Sequence, residues 1–187
     1  MNNAAYSKYY AAKLEGALVF QDFVVDAAWS LLGLAIVQYG SRAYQQAVGE
    51  SRTGVEIKFD EKYSSTGNLW IECGEKAAPR PGDYAQSGIY RNDNTWLYVI
   101  GNYDTIFIFA KTLLRGLSES GRYTKRENNT KTSVGFLLKD DDARKYAAAV
   151  LQPNASDKVS KVVGDLAELG RIAHQAALVH QNQLSLI

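Results

Sequence analysis

Two short runs of alternating residues constrain this chain more tightly than any other feature. In "GVEIKFDEKYSSTGNLWIECGEK" (Gly54–Lys76), Val55, Ile57 and Phe59 alternate with Glu56, Lys58 and Asp60. Beyond a polar turn, Leu69, Ile71 and Cys73 alternate with Asn68, Trp70 and Glu72. Period two marks half-buried strands, because successive side chains point to opposite faces. The two runs are expected to pair as a hairpin with one apolar face. The other face would gather Glu56, Glu72, Asp60 and Lys58.

That polar face has two readings. Charged residues are usual on the outward face of an antiparallel hairpin, and cross-strand Lys–Glu pairs stabilise sheets. Alternation alone favours this solvated reading. The other reading is chemical: two carboxylates facing the same way suit a hard divalent cation, which takes oxygen ligands and keeps several waters. Such an ion activates water and offsets charge on a phosphoryl group. A lysine beside it would orient that water. Asp60, near the turn, reads as turn chemistry.

The flanking sequence fixes the fold class. From about Ala4 to Leu32, Leu14, Leu18, Val25, Ala28 and Leu32 recur at helical spacing, and Gly33 is placed to end that helix. "LAIVQYG" (Leu34–Gly40) reads as a strand and Ser41–Gly54 as a loop or short helix. A Pro- and Gly-containing connection follows, with a short helix near Tyr84. Strands return at Thr95–Gly101 and Thr105–Ala110, joined by a turn at Asn102–Asp104. A helix then leaves the second strand, Ser118–Ser133 is a polar loop, and Val134–Lys139 is a last short strand. "DDDARKYAAAVL" begins a helix with acids in its first turn. After Pro153 an amphipathic stripe runs through Val159, Val162, Val163, Leu166, Leu169 and Ile172. The order predicts an α/β (α+β) fold with a central mixed β-sheet flanked by helices. Residues 1–152 form the core, and 153–187 a helical extension packed on the core or on a second subunit.

Composition narrows the class without choosing a function. The chain has 187 residues, 46% hydrophobic and 22% charged, and a formal net charge of +1. These values are ordinary for a globular domain and neither demand nor forbid a nucleic-acid partner. The longest apolar run, Leu31–Val37, is too short to span a bilayer, and "MNNAAYSKYY" is not a secretory signal. A cytoplasmic protein with no membrane partner is expected. The single cysteine, Cys73, reads as a core residue.

The helix before the two runs adds weight to the chemical reading. "FQDFVVDAAWSLLGLAIVQYGS", "GVEI" and "NLWIECGEK" follow in order, placing Asp22 on a helix, Glu56 on one strand and Glu72 on another. This series resembles the restriction-endonuclease-like, or PD-(D/E)xK, nuclease superfamily, closest in layout to archaeal Holliday-junction resolvases. The resemblance covers about Gly16–Lys76. It implies a restriction-endonuclease-like core and a Mg²⁺- or Mn²⁺-dependent DNA endonuclease that hydrolyses phosphodiester bonds. Glu56 and Glu72 would hold the ion, with Asp22 assisting. The sequence departs from the family pattern at Val55, Glu56 and Gly74, which stand where proline, aspartate and lysine are usual. Lys58, or else Lys76, would supply the missing amine. The alternative is a catalytically inactive, nuclease-like DNA-binding or assembly module.

Gln86 and Arg91 fall where the superfamily often has a helix bordering the site. Arg122, Lys125 and Arg126 cluster in the polar loop and read either as phosphate contacts or as a solvated surface. DNA is the expected partner, with a homodimer through the C-terminal helices as a further expectation.

Overall fold

The computed structural model describes residues 3–79 and 82–154. The first helix, α1 (Asn3–Leu32), ends where Gly33 takes φ +65° and donates its N–H to the Trp29 carbonyl. Glycine accepts this left-handed geometry without the penalty a Cβ brings. Next come α2 (Arg42–Val48), β1 (Val55–Phe59), the single turn α3 (Tyr63–Thr66), β2 (Asn68–Glu75) and β3 (Ala85–Gln86). After a 3-10 turn at Gly88–Tyr90 the chain forms β4 (Leu97–Gly101), β5 (Ile106–Ala110) and α4 (Lys111–Glu119). It finishes with β6 (Arg126–Glu127), β7 (Ser133–Lys139), α5 (Asp140–Tyr146) and β8 (Ala149–Leu151).

The α+β class expected from the element order is present, but the strands form two four-stranded sheets rather than one central sheet. The first is mixed, in the order β1-β4-β5-β8, with β1 parallel to β4 and the other pairs antiparallel. The second is antiparallel, in the order β3-β2-β7-β6. One face of the first sheet presents Val55, Ile57, Leu97, Val99, Ile106 and Ile108 to Phe20, Val24 and Ala28 of α1. Its other face sends Tyr98, Ile100, Phe107 and Phe109 into a core shared with Leu69, Ile71, Phe136 and Leu138 of the second sheet. The result is a helix–sheet–sheet stack. Every residue of β4 is buried, which is why "LYVIG" lacks the alternation of a half-buried strand.

Several expectations are corrected. The two alternating runs are both strands, yet they do not pair with each other: β1 is the edge of the first sheet and β2 an inner strand of the second. Leu34–Gly40 is not a strand; it supplies one bridge, Gln38 to Ser51. The helix expected to run to Leu151 stops at Tyr146, and Ala149–Leu151 joins the first sheet beside β5. The apolar stripe of α1 is also rotated. Phe20, Val24, Ala27, Ala28 and Leu32 are buried, whereas Leu14 and Leu18 are exposed. Near Tyr84 there is a two-residue strand followed by the 3-10 turn. Among the described residues no helix is long and apolar enough to cross a membrane. The proposed extension at 153–187, and the dimer it would form, lie outside the described residues from 155 onward.

Phe20 is fully buried and stacks on Phe59 with ring centroids 4.7 Å apart. Truncating a buried phenylalanine costs about 3–5 kcal/mol. Phe20→Ala should therefore lower the urea midpoint strongly. Trp29→Ala, on the exposed side of the same helix, should change stability by no more than about 0.5 kcal/mol.

Candidate functional site

An edge strand presents unpaired backbone groups that must find partners. β1 solves this with side chains from the loop before it. Ser51 Oγ accepts the Val55 N–H at 2.7 Å and donates to the Val55 carbonyl at 2.9 Å. Glu50 Oε2 accepts the Ile57 N–H at 3.2 Å. The edge expected to meet β2 is thus closed by Glu50 and Ser51. β2 is tied in at the far end of β1, where Asp60 accepts the Trp70 N–H on Oδ2 at 2.8 Å while its own N–H donates to the Gly101 carbonyl. Asp60 is turn chemistry, as expected, and it also joins the two sheets.

Because Val55 and Ile57 face α1, Glu56 and Lys58 face the other way, into the space between the sheets. Glu56 is 1% exposed and its Cα is in register with that of the fully buried Tyr98. Lys58 Nζ stands 2.8 Å from Glu56 Oε1 and 3.4 Å from Glu50 Oε1. The Lys58–Glu56 contact is an ion pair without an aligned hydrogen bond, so both Glu56 oxygens are buried with no hydrogen-bond partner, as is the Tyr98 hydroxyl.

The electrostatics follow from this burial. Removal from water pushes the Glu56 carboxyl above its ordinary range; Lys58 counters this, and Glu50 adds to it. Burial disfavours the charge on Lys58, but Glu56 and Glu50 outweigh it, with Glu72 adding a smaller pull. Lys58 is held well above the ordinary lysine value and stays protonated at neutral pH.

Glu72 sits on β2 with a different set of partners. Its Oε1 accepts from the Ser87 hydroxyl and its Oε2 from Ser133 Oγ at 3.0 Å; Ser133 Oγ in turn accepts from Trp70 Nε1. Its charge reaches Lys58 and Tyr98, but its oxygens are engaged by hydroxyls. Two residues on, Gly74 has no room for a side chain. A Cβ there would lie 2.9 Å from the Ala85 carbonyl oxygen and 3.2 Å from Val134. A lysine at position 74 is incompatible with the pairing of β2 to β3 and β7.

The remaining sequence candidates are dispersed. Asp22 is exposed on α1, which covers the face of the first sheet opposite Glu56. Lys76 lies over the Tyr84 ring and near Glu127, away from the Glu56–Lys58 pair. Arg91 is turned inward, donating to the Gln45 carbonyl at 2.6 Å and pairing with Asp93. Arg122 is held by Asp142 and the Tyr146 hydroxyl. Lys125 stands over the Tyr90 ring, while Gln86 and Arg126 are exposed on β3 and β6.

Sequence reasoning missed Glu50 and Lys111. Lys111 is 2% exposed and bonds Asp93 Oδ1 at 2.7 Å, and its charge reaches Glu56. Glu50 had one available signal, its place shortly before an edge strand; Lys111 had none, since a lysine opening an amphipathic helix is normally solvated.

Among the described residues, no group of three or more His, Cys, Asp or Glu stands ready to hold a metal ion. The chain matches no protein-family model, no curated protein and no solved structure.

Removing one partner of a buried ion pair costs about 3–5 kcal/mol. The Lys58 side chain is 34% exposed, so Lys58→Met should be destabilised by less than this at neutral pH, with a characteristic pH dependence. A carboxyl whose folded pKa is raised favours the folded state below its ordinary value of 4.5 and loses that contribution as pH rises through the folded pKa. The variant should therefore be closest to the parent near pH 4–5 and fall behind as pH rises. The parent loses its own Glu56 contribution in the same direction but less steeply, and above the ordinary lysine value of 10.5 it also loses the contribution of Lys58. Urea midpoints at pH 5, 7, 9 and 11 test both limbs. Gly74→Lys should destabilise the fold.

Proposed function

We propose that this chain is a Mg²⁺- or Mn²⁺-dependent DNA endonuclease with a restriction-endonuclease-like core, and that Glu56 and Lys58 are its acid–lysine pair. The observation that carries the reading is the pair itself: a carboxylate buried between the sheets, its Oε1 2.8 Å from a lysine on the same strand. The run Val55-Glu56-Ile57-Lys58 spells the apolar-Glu-x-Lys pattern of the superfamily without help from a second strand. Gly74 then needs no substitute, because the lysine belongs beside Glu56.

The donor set fits a hard ion. Magnesium takes one or two carboxylates, keeps several waters and accepts substrate phosphate oxygens. Glu56 and Glu50 are the carboxylates nearest Lys58 and would hold it; Glu50, on the loop side of β1, is 20% exposed. A divalent ion at that place supplies an activated water and offsets charge on the phosphoryl group. Lys58, fully protonated, cannot serve as a base. Its role is to orient water and to meet the phosphate as a fixed positive charge. Glu72, anchored by Ser87 and Ser133, adds to the field around Lys58, and Asp22 takes no part.

A second reading has its own support. Lys58 already neutralises Glu56, which is what a nuclease-like DNA-binding or assembly module without catalysis would keep. Isothermal titration with Mg²⁺ and Mn²⁺ separates the two: the nuclease requires a saturable site lost in Glu56→Gln.

Glu56→Gln and Lys58→Gln should each lower cleavage of plasmid or branched DNA by about 10²-fold or more. Asp22→Asn should leave it unchanged. Full activity in a folded Glu56→Gln protein would eliminate the assignment.

A further inference from the structure

Two tyrosines on the second-sheet side of the molecule are held in the same way. Tyr84 donates its hydroxyl to Glu127 Oε1 at 2.7 Å, and Lys76 Nζ stands 4.2 Å from its ring centre. Tyr90 donates to Glu119 Oε1 at 3.0 Å, with Lys125 Nζ 5.0 Å and the Arg115 guanidinium 5.9 Å from its ring centre. Both rings line one open pocket of about 440 Å³, together with Gln86 and Lys125. The floor is made by Cys73, Gly74 and Val134.

Each feature matches an unpaired nucleobase. A ring anchored at its hydroxyl by a carboxylate loses little freedom on stacking, and every base offers a π-face. Gln86 supplies an amide that can both donate and accept. Lys125 supplies a cation at the rim for the adjoining phosphate. The two glutamates at the tyrosine hydroxyls disfavour a free anion in the pocket, so the base rather than the phosphate is the group it takes. The pocket is also coupled to the candidate site through the chain: Gln86 precedes Ser87, whose hydroxyl binds Glu72.

We infer that the pocket between Tyr84 and Tyr90 binds an unstacked nucleobase of the DNA substrate, so that the chain prefers DNA with single-stranded or flipped-out positions over continuous duplex. The inference rests on the nuclease reading for the identity of the substrate, but its binding step is independent of cleavage.

The test is fluorescence anisotropy with a labelled 15-nucleotide oligothymidine and a fully paired duplex of equal length, in EDTA. Metal-dependent cleavage of the same DNAs is measured separately. The parent should bind the single strand more tightly than the duplex. Tyr84→Leu and Tyr90→Leu should weaken single-strand binding about five- to a hundred-fold, the range of one lost base stack. Tyr84→Phe and Tyr90→Phe keep the rings and should stay within about threefold of the parent. Unchanged single-strand affinity in leucine variants that melt with the parent would overturn the inference, and if those variants still cut DNA the nuclease reading survives it. Tyrosine-dependent binding with no cleavage by the parent upholds the pocket and rejects the nuclease. A parent that binds neither DNA overturns the inference, and one that in addition cuts neither with metal overturns the nuclease reading.

Discussion

A carboxylate buried between two sheets is tolerable only if a cation goes in with it, and the placement of Lys58 against Glu56 is the condition on which the rest of this fold stands. Both residues lie on β1 two positions apart, so the strand carries its own counter-charge into the interior. No register with another strand has to be met for the pair to form. This frees β2 to take a place in the second sheet, with its apolar face against Tyr98 and Phe109 and its glutamate held by serine hydroxyls. The lysine's charge persists through neutral pH because two carboxylates outweigh its desolvation.

The edge of β1 shows the same economy of partners. A hairpin would have satisfied its outward backbone groups with β2. Glu50 and Ser51 satisfy them instead, and Glu50 then stands beside Lys58 as well. One loop therefore closes a sheet edge and completes a charged cluster. Asp60 performs the reciprocal task at the other end of the strand, linking the Trp70 N–H of one sheet to the Gly101 carbonyl of the other. Its carboxyl is pushed above the ordinary range by burial, with the Trp70 N–H pulling it back. The two sheets are thus joined by side chain and backbone at this corner, and by packing elsewhere.

Much of the local structure was legible in the sequence, because periodicity reports which face of an element is buried. The strands at Val55–Phe59 and Asn68–Glu75 follow from it, those at Leu97–Gly101 and Ile106–Ala110 from short apolar runs bounded by turn residues, and the end of α1 from Gly33. Strand partnership was not legible. Alternation in β1 and β2 specifies that each has an apolar face, but nothing in it says that those faces belong to different layers. Phe59 and Leu69 look equivalent in the sequence, yet one stacks on Phe20 of α1 and the other lies in the core between the sheets. The stripe on α1 failed for a related reason: the helix is apolar on more than one side, so spacing alone did not select Phe20 and Val24 over Leu14 and Leu18. At the candidate site, the glutamate and lysine of β1 were identified but assigned to an outward face. Lys111 was invisible because its role arises from contacts distant in sequence, and Glu50 offered only its place before an edge strand.

Local charge balance gives the candidate site its chemical direction. Lys111 is committed to Asp93 at 2.7 Å and Arg91 pairs with the same aspartate. Lys58 is the cation in contact with Glu56 and Glu50; the charge of Lys111 also reaches Glu56, and that of Glu72 reaches Lys58. Burial drives the Glu56 carboxyl upward in pKa; Lys58 and, more weakly, Lys111 pull it back, while Glu50 adds to the rise. A second cation approaching Glu56 from the Glu50 side would draw the carboxyl down and leave Lys58 free to face an anion. The same two glutamates that hold Lys58 protonated would attract such a cation, which is what the proposed nuclease reading requires of them.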